Sequence, residues 1–140
     1  MNDATAPVRA RADAMWAADR ASRELGMRLD DVAPGSARLS MPVTAAMANG
    51  HGICHGGFIF ALADSAMAFA ANPRGEPVVA QHAAITYLRP ARVGEVLVAE
   101  AAERVRAGRS GMYDVRVSTD GGQAVAEFRG HTRVIGGTAA

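Results

Sequence analysis

One apolar segment, residues 58–71, constrains the fold of this chain more than any other feature. It is apolar on every side, consists largely of the helix-favouring residues Ala, Leu and Met, and ends at Asn72-Pro73. A helix that is apolar all round is normally buried at the centre of a domain. The apolar run from Gly56 is shorter than the ~20 residues that cross a bilayer, and it carries Asp64 near its middle. The sequence therefore predicts the central helix of a soluble protein at about 56–71.

Helix and strand patterns flank this segment. Residues 8–24 are rich in alanine and arginine and place apolar side chains such as Met15 and Trp16 on one side, which predicts a helix at about 8–24. Alternation at 27–33 and 36–43, on either side of Pro34-Gly35, predicts a hairpin. Segments with strand character, separated by turn residues, follow at 78–88, 95–105, 111–119 and 124–135.

The order of these elements indicates the fold class. Helices segregated from runs of strands argue for an α+β protein, in which an antiparallel sheet covers one buried helix. The length of 140 residues fits one domain. No internal repeat or linker divides the chain. We therefore expect a single domain at 1–140.

Charge and cysteine content argue against several classes of function. Fifteen basic and fourteen acidic residues give a net charge of +1, without the positive excess of a protein that binds nucleic acid through its phosphates. Cys54 is the only cysteine, so no intramolecular disulfide can form. The N-terminus lacks the basic-then-apolar pattern of a secretory signal. We expect a cytoplasmic protein with no nucleic-acid partner and no membrane span.

Asp64 is the one charged residue in the central segment. Its helical neighbours three, four and seven positions away are apolar or small, namely Gly57, Phe60, Ala61, Met67, Ala68 and Ala71. A lone aspartate on a helix often faces solvent. These neighbours instead favour a partly buried acid, whose raised pKa suits a general base near neutral pH. The small residues beside Asp64 also leave room for a substrate or a water.

The loop before the helix, NGHGICHGG at 49–57, places glycines at the helix start. The first amides of a helix have no intrahelical acceptor and carry partial positive charge. The amide of Gly56 can therefore polarise an acyl carbonyl as part of an oxyanion hole, with Asn49 or a histidine, His51 or His55, as a second donor. In the simpler interpretation, the glycines only form a tight turn into the helix.

Two other chemistries use the same loop. Cys54 beside a histidine could act as a thiol nucleophile, although a lone buried cysteine is more often a small apolar core residue. His51, Cys54 and His55 could bind a metal, but no fourth ligand stands at a recognised zinc spacing. We expect neither a metal nor an organic cofactor. His82 and His131 lie in strand patterns and are interpreted as ordinary sheet residues.

Four segments, NGHGICHGG, LADSAMAFA, ITYLRPARVGE and FRGHTRVIGG, occur in an order and spacing that resembles the PaaI-type hotdog-fold thioesterases over nearly the whole chain. The resemblance implies a hotdog fold, in which a long antiparallel sheet wraps around a central helix. It implies acyl-coenzyme A substrates, typically phenylacetyl and ring-hydroxylated phenylacetyl thioesters of phenylacetate degradation. It also implies a homodimer, usually paired into a tetramer, with the active site between subunits.

The resemblance also assigns roles by position. Asn49 corresponds to the loop asparagine, His55 and Gly56 to the pair at the helix start, and Asp64 to the helix carboxylate. In such enzymes the glycine amide polarises the thioester carbonyl, and the carboxylate of the facing subunit activates water or attacks directly. Some animal relatives place a serine or threonine on the strand facing this carboxylate, where the present chain has Ala80.

Coenzyme A binding is assigned by the same resemblance to one loop and one turn. These contain Tyr87, Leu88, Arg89, Pro90, Ala91 and Arg92, and Arg106, Ala107, Gly108, Arg109 and Ser110. Guanidinium groups match phosphate geometry, which agrees with this assignment.

We therefore predict an acyl-CoA thioesterase with Asp64, Gly56 and Asn49 as catalytic residues. Two alternatives use the same site differently. A hydratase or dehydratase on the same fold would pair Asp64 with His51 or His55 as acid and base. A non-catalytic acyl-CoA binding module would be expected if Asp64 were exposed.

Overall fold

The structure, a computed structural model, describes residues 5–136. The predicted domain limits at 1 and 140 lie outside these residues. The helices are α1 (Thr5–Ala18), α2 (Arg20–Glu24) and α3 (Gly56–Ala71), with short 3-10 turns at Ala45–Met47 and Asn72–Arg74. The strands are β1 (Arg28–Ala33), β2 (Ser36–Pro42), β3 (Val78–Tyr87), β4 (Val96–Ala107), β5 (Ser110–Thr119) and β6 (Ala124–Val134).

The six strands form one antiparallel sheet in the order β1-β2-β4-β5-β6-β3. Helix α3 lies against the inner face of this sheet, where alternate strand residues such as Leu39, Leu97 and Val117 are fully buried. Burial of this apolar surface is the main term that stabilises the fold. The α+β class and the hotdog arrangement expected from the sequence are confirmed.

Side-chain hydrogen bonds stabilise both ends of helix α3. The ring Nδ1 of His55 accepts a hydrogen bond from the Gly57 amide at 3.2 Å and so caps the helix start. At the other end, Asn72 donates through Nδ2 to the Ala68 carbonyl at 3.1 Å and accepts from the Val78 amide at 2.8 Å. The hydrogen bond from Val78 to Asn72 fixes the end of α3 against the start of β3.

The N-terminal helix predicted at about 8–24 is two helices. Asp19 leaves helical geometry, with φ −87° and ψ 87°, and its carboxylate accepts from the Ser22 amide at 2.9 Å. Asp19 therefore caps α2 instead of continuing α1, which is the usual competition between an aspartate side chain and the helix backbone. Gly26, with φ 80°, follows the end of α2.

Helix α1 packs where the end of α3 meets the sheet. Val8 and Ala12 are buried, and the ring of Trp16 meets the ring of Phe69 edge to face at 5.6 Å. Arg11 donates to the Pro73 carbonyl at 3.3 Å. These contacts fix α1 against the C-terminal end of α3.

Strand β3 is at one edge of the sheet, paired only with β6. A bulge at Gln81 interrupts the pairing between Ala80 and His82. Most β3 side chains are exposed, including Val79 at 45%. Between residues 5 and 136, no helix is long and apolar enough to cross a membrane.

Candidate active site

The start of α3 presents a backbone donor to a cavity of about 420 Å³, which we call the Gly56 cavity. The amide of Gly56 has no intrahelical acceptor, and no acceptor for it is found among the described residues. Tyr87 donates its hydroxyl to the Gly56 carbonyl at 2.9 Å. A Cβ atom at residue 56 would lie 2.9 Å from Cζ and Oη of Tyr87, so close contact with this ring requires glycine. The cavity is lined by Asn49, Ile53, Cys54, Gly56, Ile59, Tyr87, Leu88, Arg89, Pro90 and Ala91.

Asn49 organises the loop before α3. Its Oδ1 accepts from the amides of His51 at 2.9 Å and Ile53 at 3.4 Å, and its own amide donates to the Ile53 carbonyl at 2.8 Å. The side-chain nitrogen makes no hydrogen bond within residues 5–136. Because Asn49 lines the Gly56 cavity, this nitrogen is available there as a second donor beside the Gly56 amide.

The two loop histidines, unlike Asn49, do not line the Gly56 cavity. The Nδ1 atom of His55 is already used as the helix cap, and its ring stands edge to face with Phe58 at 6.4 Å. His51 is exposed and lines neither the Gly56 cavity nor the cavity around Asp64. Neither ring lines the Gly56 cavity as a second donor beside the Gly56 amide, and substrate contact by these residues stays a prediction.

Asp64 is half-buried and lines a second cavity of about 400 Å³, the Asp64 cavity. Burial raises the pKa of its carboxyl group. No hydrogen bond or ion pair links this carboxylate to any other residue between 5 and 136. The cavity is lined by Met15, Asp64, Met67, Ala68, Ala71, Asn72, Val78, Val79, Ala80 and Thr132. Asp64 is thus an unpaired acid in a mainly apolar cavity.

One chain does not bring the amide and the carboxylate together. Gly56 and Asp64 are eight residues apart on α3, which is about 12 Å along the helix axis. Each lines its own cavity: Tyr87, at the end of β3, lines the first, whereas Val78, at the start of β3, lines the second. The two halves of the expected site lie toward opposite ends of the edge strand.

The loop after β3 contributes to the Gly56 cavity. Tyr87, Arg89 and Pro90 line it, whereas Arg92 is exposed and its amide donates to Glu95 at 2.7 Å. Arg89 Nη1 is 3.5 Å from Glu95 Oε2, but this ion pair lacks hydrogen-bond geometry and leaves the buried nitrogen without a hydrogen-bond acceptor among the described residues. Arg89 therefore places a guanidinium group, paired with Glu95, in the cavity wall.

The second group assigned to coenzyme A lies elsewhere. Gly108 and Arg109 form the turn between β4 and β5, and the strand residues Arg106 and Ser110 flank it; all four line a crevice of only about 10 Å³. Arg106 is 3.3 Å from Glu76, and Arg109 donates to the Gly136 carbonyl at 3.1 Å. This turn is at the Val78 end of the sheet, far from the Gly56 cavity within one chain.

The geometry argues against a thiol nucleophile at Cys54. The side chain is buried, and burial raises the pKa of its thiol, opposite to the lowered pKa that an attacking thiolate needs. Within the described part of the chain, no three His, Cys, Asp or Glu side chains are grouped to hold a metal ion.

His82 and His131 face each other across β3 and β6, with ring centres 5.2 Å apart.

Met15 and Thr132 are among the residues of the Asp64 cavity that were not identified from the sequence. Met15 reaches it from α1, and Thr132 reaches it from β6, directly opposite Ala80. Thr132 is buried, and its hydroxyl lies beside Gly111, where an added Cβ would be 2.8 Å from Oγ1. Only strand register reveals such a neighbour, because residues 80 and 132 are far apart in the chain.

Comparison with known proteins gives consistent matches. The model of the thioesterase superfamily matches residues 51–126. Acyl-coenzyme A thioesterase PaaI of Escherichia coli (strain K12) is 41% identical over 91% of each chain. The structure of E. coli PaaI, from the phenylacetic acid degradation operon, matches 99% of this chain and 100% of that chain with a TM-score of 0.94 and 38% identity. The TT0310 protein of Thermus thermophilus matches 84% of this chain and 98% of its own, with a TM-score of 0.80 and 39% identity.

Proposed function

The chain belongs to the thioesterase superfamily, and we propose that it hydrolyses acyl-coenzyme A thioesters of phenylacetyl or hydroxyphenylacetyl type, in phenylacetate degradation, to the free acid and coenzyme A. The E. coli relative, an acyl-coenzyme A thioesterase from the phenylacetic acid degradation operon, supports this substrate class. The observation that carries the proposal is Asp64, an unpaired and half-buried acid with a raised pKa on the central helix. Such a group weakens the fold and is therefore explained best by catalysis.

Each residue has a defined chemical task in this proposal. The thioester carbonyl oxygen accepts from the Gly56 amide and from Asn49 Nδ2, which stabilises the negative charge that develops on it. Asp64 takes a proton from water as the oxygen of that water bonds to the carbonyl carbon. The C–S bond then breaks, and the departing thiolate takes up the proton. In the nucleophilic variant, the Asp64 carboxylate attacks the carbonyl carbon and the C–S bond breaks, which releases the thiolate and leaves a mixed anhydride that water then hydrolyses to the free acid and the Asp64 carboxylate.

Two copies of the chain would complete this site. Strand β3 is an edge with exposed apolar side chains, and such an edge favours pairing with another strand. A two-fold axis pairs β3 with its copy in antiparallel fashion, so the Tyr87 end of one strand lies beside the Val78 end of the other. The Gly56 cavity of one copy then adjoins the Asp64 cavity of the other.

The same pairing explains why the arginines assigned to coenzyme A lie in two separate places on one chain. Arg89 lies at the Tyr87 end of β3, whereas Arg106 and Arg109 lie at the Val78 end. In a two-fold pair, Arg106 and Arg109 of the second copy approach the Gly56 cavity of the first, where phosphates of coenzyme A would meet both groups. The tetramer and the cytoplasmic location stay predictions from the sequence.

The test measures release of free thiol. Wild type and Asp64→Asn are compared on phenylacetyl-CoA, 3- and 4-hydroxyphenylacetyl-CoA, benzoyl-CoA and a long-chain acyl-CoA. Since a positioned base contributes roughly 10²–10⁴-fold, we expect turnover to fall by at least that factor with the fold intact. Asp120→Asn, in the exposed turn after β5, is the matched control and should keep wild-type turnover.

Other outcomes point to other functions. Unchanged turnover in Asp64→Asn would remove Asp64 from the mechanism. A change in enoyl-CoA absorbance without thiol would indicate a hydratase, and saturable binding with no reaction would indicate a binding module. No feature of the described residues favours either of these.

A further inference from the structure

We propose that Met15, on helix α1, sets the length of acyl group that the enzyme accepts. This inference rests on the proposed thioesterase function and assigns the Asp64 cavity to the acyl group. Met15 is distant from α3 in sequence, yet its side chain forms part of the cavity that contains the carboxylate.

The walls of the Asp64 cavity suit an apolar ligand. Apart from Asp64, they consist mainly of Met, Ala and Val side chains. Asn72 and Thr132 are the exceptions. The Nδ2 and Oδ1 atoms of Asn72 are both engaged, with the Ala68 carbonyl and the Val78 amide, and Thr132 is buried. The Asp64 cavity has a volume of about 400 Å³, which lies within the roughly 300–1,000 Å³ range of small-molecule sites.

The two arms of an acyl-CoA thioester differ sharply in polarity, and so do the two cavities. The coenzyme arm ends in phosphates and requires cationic groups. The Gly56 cavity has the guanidinium group of Arg89 in its wall, whereas no arginine or lysine lines the Asp64 cavity. The polar arm therefore belongs to the Gly56 side. The acyl arm extends past Asp64 of the second copy toward that copy's Met15.

The backbone of α1 at Met15 is held in place by the neighbouring residues of the helix. On its own helix, Ala12 is fully buried, and the neighbouring Trp16 packs on Phe69 with ring centres 5.6 Å apart. On the next helix, α2, Ser22 Oγ lies 2.9 Å from Ser65 Oγ, beside Asp64 on α3. The Ala12 and Trp16 contacts fix the backbone of α1, so the side chain of residue 15 decides how far the cavity extends. Methionine is itself flexible and fills such a space without strict shape.

The experiment measures kcat/KM for two thioesters, phenylacetyl-CoA and 4-phenylbutanoyl-CoA, which differ by two methylenes. The variants are Met15→Ala, which lengthens the cavity, and Met15→Phe, which fills it. Met112→Ala is the matched control, since Met112 is on the opposite face of the sheet and lines neither cavity. Melting temperatures establish that each variant is folded.

One methylene in an apolar pocket changes selectivity by roughly 10–200-fold. We therefore expect Met15→Ala to raise the ratio of 4-phenylbutanoyl-CoA to phenylacetyl-CoA kcat/KM by about tenfold or more. Met15→Phe should lower this ratio, and Met112→Ala should leave it unchanged.

The outcomes separate this inference from the proposed function. Active variants that keep the wild-type ratio overturn the role of Met15 alone. An equal rise in KM for both thioesters also overturns it, because that result assigns the cavity to the pantetheine arm. Absence of thiol release by wild type overturns the proposed function and this inference with it. If Met15→Ala does not fold, the ratio in Met15→Phe decides.

Discussion

The Gly56 amide can be tested by removing its hydrogen while keeping the helix. Gly56 is the first residue of α3, the position at which proline is best tolerated, because that N–H has no intrahelical acceptor. His55 has φ −62° and ψ 134°, a conformation that a following proline permits. The variant Gly56→Pro therefore removes the proposed carbonyl donor with little change to the backbone.

Gly56→Ala is the matched control for the added Cβ atom. In both variants a Cβ would lie 2.9 Å from Cζ and Oη of Tyr87, so the ring must move and lose its bond to the Gly56 carbonyl. Tyr87 is 48% exposed and can move. Both variants therefore lose the stability of one hydrogen bond, about 0.5–1.5 kcal/mol. Only the proline variant also loses the amide hydrogen.

The expected difference between the two variants is large. Loss of one oxyanion-hole donor costs roughly 10²–10³ in kcat, or about 2.7–4 kcal/mol. We therefore expect kcat for phenylacetyl-CoA to be lower in Gly56→Pro than in Gly56→Ala by about that factor, with similar melting temperatures. Equal kcat values in two folded variants would refute the assignment of the carbonyl oxygen to this amide.

Three further predictions concern Asp64, the core and the subunit arrangement. Burial raises the pKa of Asp64, so kcat/KM should fall as pH decreases through that raised pKa. The Asp64 carboxyl group binds its proton more tightly in the folded state than in the unfolded state. Folding stability is therefore lost as pH rises from the unfolded-state pKa of Asp64 to its folded-state pKa. Asp64→Asn should therefore melt at a higher temperature than wild type at neutral pH, and the gap should close below the unfolded pKa of ~3.9; a gap independent of pH would contradict this. A Cβ at Gly130 would collide with Met67 Sδ, so Gly130→Ala should lose about 1–3 kcal/mol of stability, measured by urea unfolding. The double variant with Met67→Ala should lose less than the sum of the two single losses, because the collision is then absent. Co-expressed Asp64→Asn and Gly56→Pro chains should regain about a quarter of wild-type activity, because half of the dimers are mixed and each mixed dimer has one intact site; no recovery in isolated mixed dimers would place both residues in one chain's site.

The central helix was predictable because its determinants are local. An apolar run closed by Asn72-Pro73 gave the limits 56–71, and these agree with Gly56–Ala71. The lack of a partner for Asp64 also followed from local neighbours, since helical spacing fixes which side chains share its face. The strands were recognisable for the same reason, from alternation and turn residues.

Features that depend on competition or on distant contacts were not predictable. Asp19 divides the N-terminal helix because its carboxylate caps α2, and composition alone does not reveal this. Met15 and Thr132 join the Asp64 cavity through packing and register. The need for glycine at position 56 depends on Tyr87, which is 31 residues away in the chain.

The edge strand also has a consequence for how the enzyme responds to dilution. If the amide that polarises the carbonyl and the carboxylate that activates water meet only across two β3 strands, a lone chain has no complete site. The rate per chain then stays constant only while pairs predominate. Below the dissociation constant of the pair, the total rate falls with the square of the chain concentration, so the amount of protein in the cell itself sets a threshold for thioester turnover.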